Sequence, residues 1–289
     1  MPTKVEKDSA PAIRTTGHEW DGIKEFDNPL PRWWLYVFYC TILFAFAWIV
    51  IYPAFPIWGL RGTSGWIARE AVVEQVRTAE AARAPMLDRI RKATPAQIAD
   101  DPNLRAFAIA GGRTAFSNTC AGCHGAGGQG AAGGFPSLAD DDWIWGGSYE
   151  AIHFTITNGI RSNESDNERQ SMMPRFLADG MLTAAQVNDT AEFVLGLTGR
   201  ATDQTAAERG AAVFADQCAA CHGARGEGNR ELGAPRLSDQ VWLYGGDKAS
   251  IVQSISYARG GVMPAWGKRL DPALINMLTV YVHSLGGGE

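Results

Sequence analysis

A chain of 289 residues has room for two ordinary domains and some further segments. Its formal charge of −5 leaves it without the basic surface that nucleic-acid binding needs, so no nucleic-acid partner is expected. Its five cysteines do not read as a disulfide framework: four form two close pairs, Cys120/Cys123 and Cys218/Cys221, each followed at once by histidine.

Residues 1–32 mix acids and bases. From Trp33 the sequence runs apolar and uncharged through Ile51 and stays uncharged to Leu60. A helix needs roughly 20 apolar residues to cross a bilayer core. Trp33, Trp34 and Tyr36 at one end, with Tyr52 and Trp58 at the other, supply interfacial aromatics. A buried core helix would show a polar face, and a signal peptide would carry a small-residue cleavage site. Neither is present, so residues 33–58 are expected to form one uncleaved transmembrane helix. The flanking charges (Arg14, Lys24 and Arg32 against Arg61 and Arg69) lean only slightly toward an inside N-terminus.

Residues 59–102 form the expected linker. Within it, Ile67, Ala71, Val72 and Val76 recur at helical spacing among charges, which predicts a solvated helical arm carrying Pro85.

From about Asn103 the sequence repeats itself. "GGRTAFSNTCAGCHG" matches "ERGAAVFADQCAACHG", "FPSLADDDWIWGG" matches "APRLSDQVWLYGG", and "SMMPRF" matches "GVMPAW". The first copy carries a short insertion near "SNESDNERQ". Two consecutive helical domains follow, 103–200 and 201–289. Each opens with a helix ending at its cysteine pair and closes with another helix. The second closing helix starts with Asp271 as N-cap and Pro272 at the first helical position.

The spacing C-x-x-C-H is the attachment signature of c-type haem. Two thiols two residues apart reach the two vinyl groups of one porphyrin, and the next residue brings an imidazole under the iron. Cys120, Cys123, Cys218 and Cys221 are therefore the expected thioether residues of two covalently bound haems c, with His124 and His222 as proximal iron ligands. Zinc is the competing reading. It would draw four thiolates from both copies and leave the two histidines unexplained. A redox-active dithiol would need a βαβ setting that this helical sequence lacks.

Met173-Pro174 and Met263-Pro264 recur at matching places, so each copy is expected to supply its own sixth ligand, Met173 to the first haem and Met263 to the second. Methionine opposite histidine is the pairing of electron-transfer haems. Met172 is the alternative to Met173, and the repeat alignment favours Met173. With both irons six-coordinate, no catalytic residue is expected on this chain. Asp140, Asp141 and Asp142, with Glu164, Asp166 and Glu168 of the insertion, make the first copy the more acidic, a surface that would steer a basic donor. Arg161, Arg259, Trp143 and Trp242 either reach haem carboxylates or fill surface and core. His153 and His283 have no counterparts in the other copy and read as structural or exposed.

Each copy resembles a small cytochrome c. That resemblance implies that the carbonyls of Pro136 and Pro235 accept from the ligand histidines. It also implies that Gly112 and Gly210 let the opening and closing helices cross closely against Phe193 and Tyr281. The stretch Gly17-His-Glu-Trp-Asp-Gly22 with Asn28-Pro-Leu-Pro31, then the apolar span, arm and both haem domains, resembles the dihaem subunit III (CcoP/FixP family) of cbb3-type cytochrome c oxidase. An all-α fold is expected, one transmembrane helix followed by two tandem class I cytochrome c domains. The resemblance further implies a donor cytochrome c, a catalytic haem-copper subunit and a monohaem cytochrome c subunit as partners. The setting would be a proton-pumping terminal oxidase of the bacterial inner membrane, with residues 1–32 cytoplasmic and the haem domains periplasmic, where covalent haem is fitted. The alternatives are a free-standing membrane-anchored dihaem carrier, the cytochrome subunit of a periplasmic dehydrogenase, or a dihaem peroxidase.

Overall fold

The computed structural model describes residues 14–52 and 62–289. The far end of the expected span, with Trp58, and the extreme N-terminus lie outside those residues. Two compact units are resolved, Met1–Ala82 and Arg83–Glu289.

The first unit begins with a small departure from an all-α chain. Strands β1 (Thr15–Trp20) and β2 (Ile23–Phe26) pair antiparallel across Asp21-Gly22. Both turn residues have positive φ, 51° and 83°, which suits the type I′ turn that matches strand twist and favours Asp-Gly. Helix α1 (Arg32–Ile51) follows, 20 residues with no buried position. Its length spans about 30 Å, the thickness of a bilayer core, and a uniformly apolar, uncovered surface is stable only in lipid or against other apolar helices. Trp33, Trp34 and Tyr36 sit in its first turns, and Tyr52 closes it beside Trp66. The chain thus carries a membrane anchor.

Helix α2 (Ala68–Lys92) crosses the division between the units with Pro85 inside it. Val72 and Val76 are exposed, as expected of a solvated arm, whereas Ile90 is fully buried. The end of the arm therefore belongs to the second unit. There Ile90 packs with Ile98 of α3 (Pro95–Asp100), Leu104 and Ala108 of α4 (Pro102–Thr119), and Met277 and Val280 of α11 (Pro272–His283). Asn276 of α11 donates to the carbonyls of Ile90 and Ala93, at 2.9 and 3.2 Å.

The remaining helices are α5 (Ala121–His124), α6 (Tyr149–Asn158), α7 (Ala184–Gly196), α8 (Gln204–Gln217), α9 (Ala219–His222) and α10 (Lys248–Tyr257). Caps punctuate them as the sequence dictates: Thr183 forms a capping box with Gln186, and Asp271 accepts from Ala273 N–H ahead of Pro272.

The order of packing differs from the order of the repeats. The opening helix of the first copy, α4, packs on the closing helix of the second, α11; the opening helix of the second, α8, packs on the closing helix of the first, α7. Gly112 faces Tyr281, where an added Cβ would fall 2.6 Å from the tyrosine Cβ. Gly210 faces the backbone of Asp189, 2.0 Å from its carbonyl oxygen. The helix crossings expected within each copy thus occur between copies: Phe116 meets Tyr281 edge-on, and Phe214 meets Phe193. Segments 103–200 and 201–289 do not each close on a core of their own. The short connection from α7 to α8 gives the physical reason, because consecutive helices joined by a few residues are antiparallel neighbours by default.

Candidate functional site

Each cysteine pair sits on a one-turn helix that continues an opening helix. Cys120 caps α4 with its N–H on Phe116 O at 2.8 Å, and Cys218 caps α8 with its N–H on Phe214 O at 2.9 Å. One turn then carries both thiols and the histidine, and Gly125 and Gly223, each at φ 79°, end it. His124 Nδ1 lies 3.1 Å from Pro136 O, and His222 Nδ1 lies 2.9 Å from Pro235 O. A carbonyl only accepts, so Nδ1 carries the proton and Nε2 keeps a free lone pair, the tautomer of a metal ligand. Burial lowers the pKa of both imidazoles, with the proline carbonyls acting the other way, which favours the neutral, ligating form.

The first thiol of each pair does not have the character of a reactive one. Burial pushes the Cys218 thiol up to about 11, helped by Cys221, and raises that of Cys120. A reactive thiol is depressed instead. Cys120 and Cys218 lie in separate cores, and no group of three or more His, Cys, Asp or Glu is gathered as a metal cluster among the described residues.

The methionines correct one expectation. Met263 packs in the core that holds Cys120, Phe116, Leu138 and Trp143, while Met173 packs in the core that holds Cys218, Phe214, Leu237 and Trp242. Each therefore lies across from the cysteine pair of the other copy. Backbone pairing fixes the exchange. The Met263 loop docks on α6 through Trp266 N to Ile156 O (3.0 Å) and Gly267 N to Thr157 O (2.9 Å). The Met173 loop docks on α10 through Phe176 N to Ile255 O and Ala178 N to Ser256 O, both 3.2 Å. Met172 is 57% exposed, whereas Met173 is half-buried against its core, so geometry favours Met173 of the two.

Among the tryptophans, Trp143 Nε1 donates to Gly287 O. Trp242 Nε1 is buried without a hydrogen-bond acceptor. A buried donor of this kind, lining the core beside Cys218, fits a carboxylate-bearing cofactor, and so does the donor set of two thiols, one imidazole and one thioether at each centre. Arg259, just past the end of α10, folds back on that helix, donating to Ser250 O and Ser254 Oγ while lying over Tyr244. His283 stacks on Tyr149 and pairs with Glu289 O, and His153 is half-buried, both outside the two centres.

The insertion also has a role that acid count alone does not reveal. Glu168 is buried and accepts from Ser162 N–H and Oγ–H and from Asn163 N–H, folding residues 162–170 around itself. Glu164 accepts from Ala265 N–H at 3.0 Å and pairs with Arg269, so the insertion of the first copy grips the Met263 loop of the second. Those two carboxylates are engaged internally, which leaves exposed Asp166 and, lining a cleft shared with Arg230 and Arg236, half-buried Asp140 and Asp142 with exposed Asp141.

Two C-x-x-C-H turns, each sharing a core with a half-buried methionine, on an anchored helical chain define a membrane-bound protein of the cytochrome c class. Family models agree: residues 109–198 match cytochrome c, residues 205–282 match cytochrome c oxidase, cbb3-type, subunit III, and residues 13–59 match the N-terminal domain of cytochrome oxidase-cbb3, FixP. Similar curated proteins include the cbb3-type cytochrome c oxidase subunit FixP of Azorhizobium caulinodans, 51% identical over 98% of this chain and 96% of that one. The CcoP subunit of Cereibacter sphaeroides is 46% identical over 100% and 99%, and that of Azospirillum brasilense 48% over 98% and 99%. The chain belongs to the CcoP/FixP family of cbb3-type cytochrome c oxidase subunits.

Proposed function

We propose that this chain is the membrane-anchored dihaem electron-transfer subunit of a cbb3-type terminal oxidase. It takes electrons from a donor cytochrome c and passes them to a catalytic haem-copper subunit, alongside a monohaem cytochrome c subunit. The oxidase acts in the bacterial inner membrane as a proton-pumping enzyme, with residues 1–32 cytoplasmic and the haem-bearing unit periplasmic.

Cys120 and Cys123 would hold one haem c by thioether bonds, and Cys218 and Cys221 the other. Each haem supplies a one-electron iron couple. His124 Nε2 and Met263 Sδ would hold the iron of the first, and His222 Nε2 and Met173 Sδ that of the second. Pro136 and Pro235 orient the imidazoles through their Nδ1 protons, at 3.1 and 2.9 Å. A thioether ligand raises the reduction potential. A thioether held there would leave oxygen no open position on either iron, so oxygen reduction would fall to the partner subunit. The observation that carries this reading is the pair of C-x-x-C-H turns, each with Nδ1 fixed on a proline carbonyl and a half-buried methionine packed on the same core.

The test is purification from membranes with c and b haems counted per complex. Two c haems on this polypeptide, travelling with b haem, are expected. Two c haems without b haem would indicate a free-standing carrier, and a polypeptide of unmodified mass would overturn the haem reading altogether.

A further inference from the structure

Arg161 follows directly on Ile160, whose backbone pairs in both directions with Met263: Ile160 N to Met263 O at 2.9 Å and Met263 N to Ile160 O at 3.0 Å. Its own N–H bonds Arg169 O at 2.9 Å, at the start of the segment leading to Met173. Arg161 has φ 50°, an uncommon left-handed conformation for a long side chain, and its backbone is held from both sides. From there the half-buried side chain spans both methionine loops. Nε donates to Gly261 O at 2.8 Å, and a terminal nitrogen donates to Ser171 O at 2.7 Å. Gly261 stands two residues before Met263, and Ser171 two residues before Met173. One guanidinium therefore holds equivalent carbonyls of both loops, a geometry that suits a rigid planar fork and not a single ammonium.

We propose that Arg161 is a positioning residue shared by both haem centres, clasping the Met173 and Met263 loops so that the two sulfur ligands are held or released together. The proposal rests on the His/Met reading above and goes beyond it by making the two centres interdependent. It follows from the exchange of loops: only because Met173 and Met263 cross between copies do their approaches meet at one side chain. The cation adds an electrostatic consequence. A guanidinium stays charged, and between the two loops it disfavours the extra positive charge of either ferric iron, so its removal lowers both potentials.

The experiment uses the full-length holoprotein with Arg161→Ala, Arg161→Lys and, as a one-loop reference, Glu164→Ala. The readouts are covalent haem content, the long-wavelength absorption band of ferric haem with a sulfur ligand, carbon monoxide bound per reduced chain, and the two midpoint potentials. Arg161→Ala is expected to keep two covalent haems, lose most of the sulfur-ligand band, bind carbon monoxide at both centres and lower both potentials. Glu164→Ala is expected to lose about half of the band, since its carboxylate reaches only the Met263 loop. Loss at a single centre in Arg161→Ala, or an unchanged band, overturns the clasp. Equal loss at both centres in Glu164→Ala also overturns it, because general loosening would then suffice. Should Arg161→Ala fail to accumulate, Arg161→Lys decides: it keeps the charge without the fork, so a weakened band at both centres supports the clasp and a wild-type band removes it. A wild-type protein lacking the band would instead sink the His/Met reading itself.

Discussion

At the scale of single residues, a centre of this kind needs a thiol pair, an imidazole held in one tautomer and a sulfur atom opposite. The first two are local: three residues on one turn, and a proline carbonyl 12 or 13 positions on along the chain. The thiols and imidazole were legible because the C-x-x-C-H spacing determines them, whereas the proline carbonyls were expected only from the resemblance to small cytochromes c. The third is a long-range partner, and here the sequence was ambiguous for a physical reason. The two methionine loops are copies of each other, so each carries side chains able to pack over either cysteine pair, and no residue type distinguishes the pairings. A single-haem background does distinguish them. With Cys218 and Cys221 replaced by alanine, the remaining haem sits at Cys120 and Cys123. Met263→Ala in that background is expected to open the centre to carbon monoxide, whereas Met173→Ala leaves it closed. The opposite pattern in a binding titration of the reduced protein would restore pairing within each copy.

Elements meet where glycine and one buried carboxylate permit it. At the crossing of α7 and α8, a methyl group on Gly210 would lie 2.0 Å from the Asp189 carbonyl, and backbone has little freedom to yield. Gly210→Ala should therefore lower stability by about 3 kcal/mol, the upper range for overpacking a tight contact, as measured by chemical unfolding of the holoprotein. The same helix pair is tied by Glu192, fully buried on α7. It accepts from Thr202 N–H and Oγ–H and from Asp203 N–H, and it pairs with Lys248 of α10 at 2.7 Å. Lys248 and the Thr202 contacts hold its carboxyl down at about 2, against burial. The unfolded carboxyl titrates near 4.5, so the contribution is fully present above that pH and is lost as pH falls from 4.5 toward 2. With Lys248 partly exposed, the stabilisation is on the order of 2 kcal/mol. Glu192→Gln should be less stable at neutral pH and should show a flatter acid limb; an unaltered limb would assign acid sensitivity elsewhere. The cap of α11 was legible from Asp271 and Pro272, and the arm from the apolar periodicity of Ile67 to Val76, whereas the Thr183 capping box of α7 was not read. The N-terminal hairpin was not read, although Asp21-Gly22 between short strands carries the local signal for one. The insertion was read as surface acid because a carboxylate that folds a loop looks, in sequence, like one that faces solvent.

For the molecule as a whole, the exchange makes the second unit a single object where the repeat pattern suggested two. α11 and the Met263 loop complete the first cysteine centre, and the C-terminal Gly287 and Glu289 bond to Trp143 and Gly147 beside it. α7 and the Met173 loop complete the second, with Arg200 bonding Gly246 O at 3.0 Å. Internal repetition therefore predicted the inventory of parts but not which parts share a core. A sequence repeat reports that two segments can adopt one fold, while connection length decides whether each closes on itself. Cutting the chain between the copies tests this directly. A fragment ending at Arg200 keeps Cys120, Cys123 and His124 but loses Met263, the face of α11 that covers Phe116, and the partner helix of Gly112. It should take up haem yet bind carbon monoxide when reduced and unfold far below the intact chain. Adding the complementary fragment, 201–289, should close the site again, because burial of the α4–α11 and α7–α8 faces drives the two pieces together. A fragment that excludes carbon monoxide by itself would show that the first copy provides its own sulfur ligand, and the exchanged architecture would then have to be abandoned.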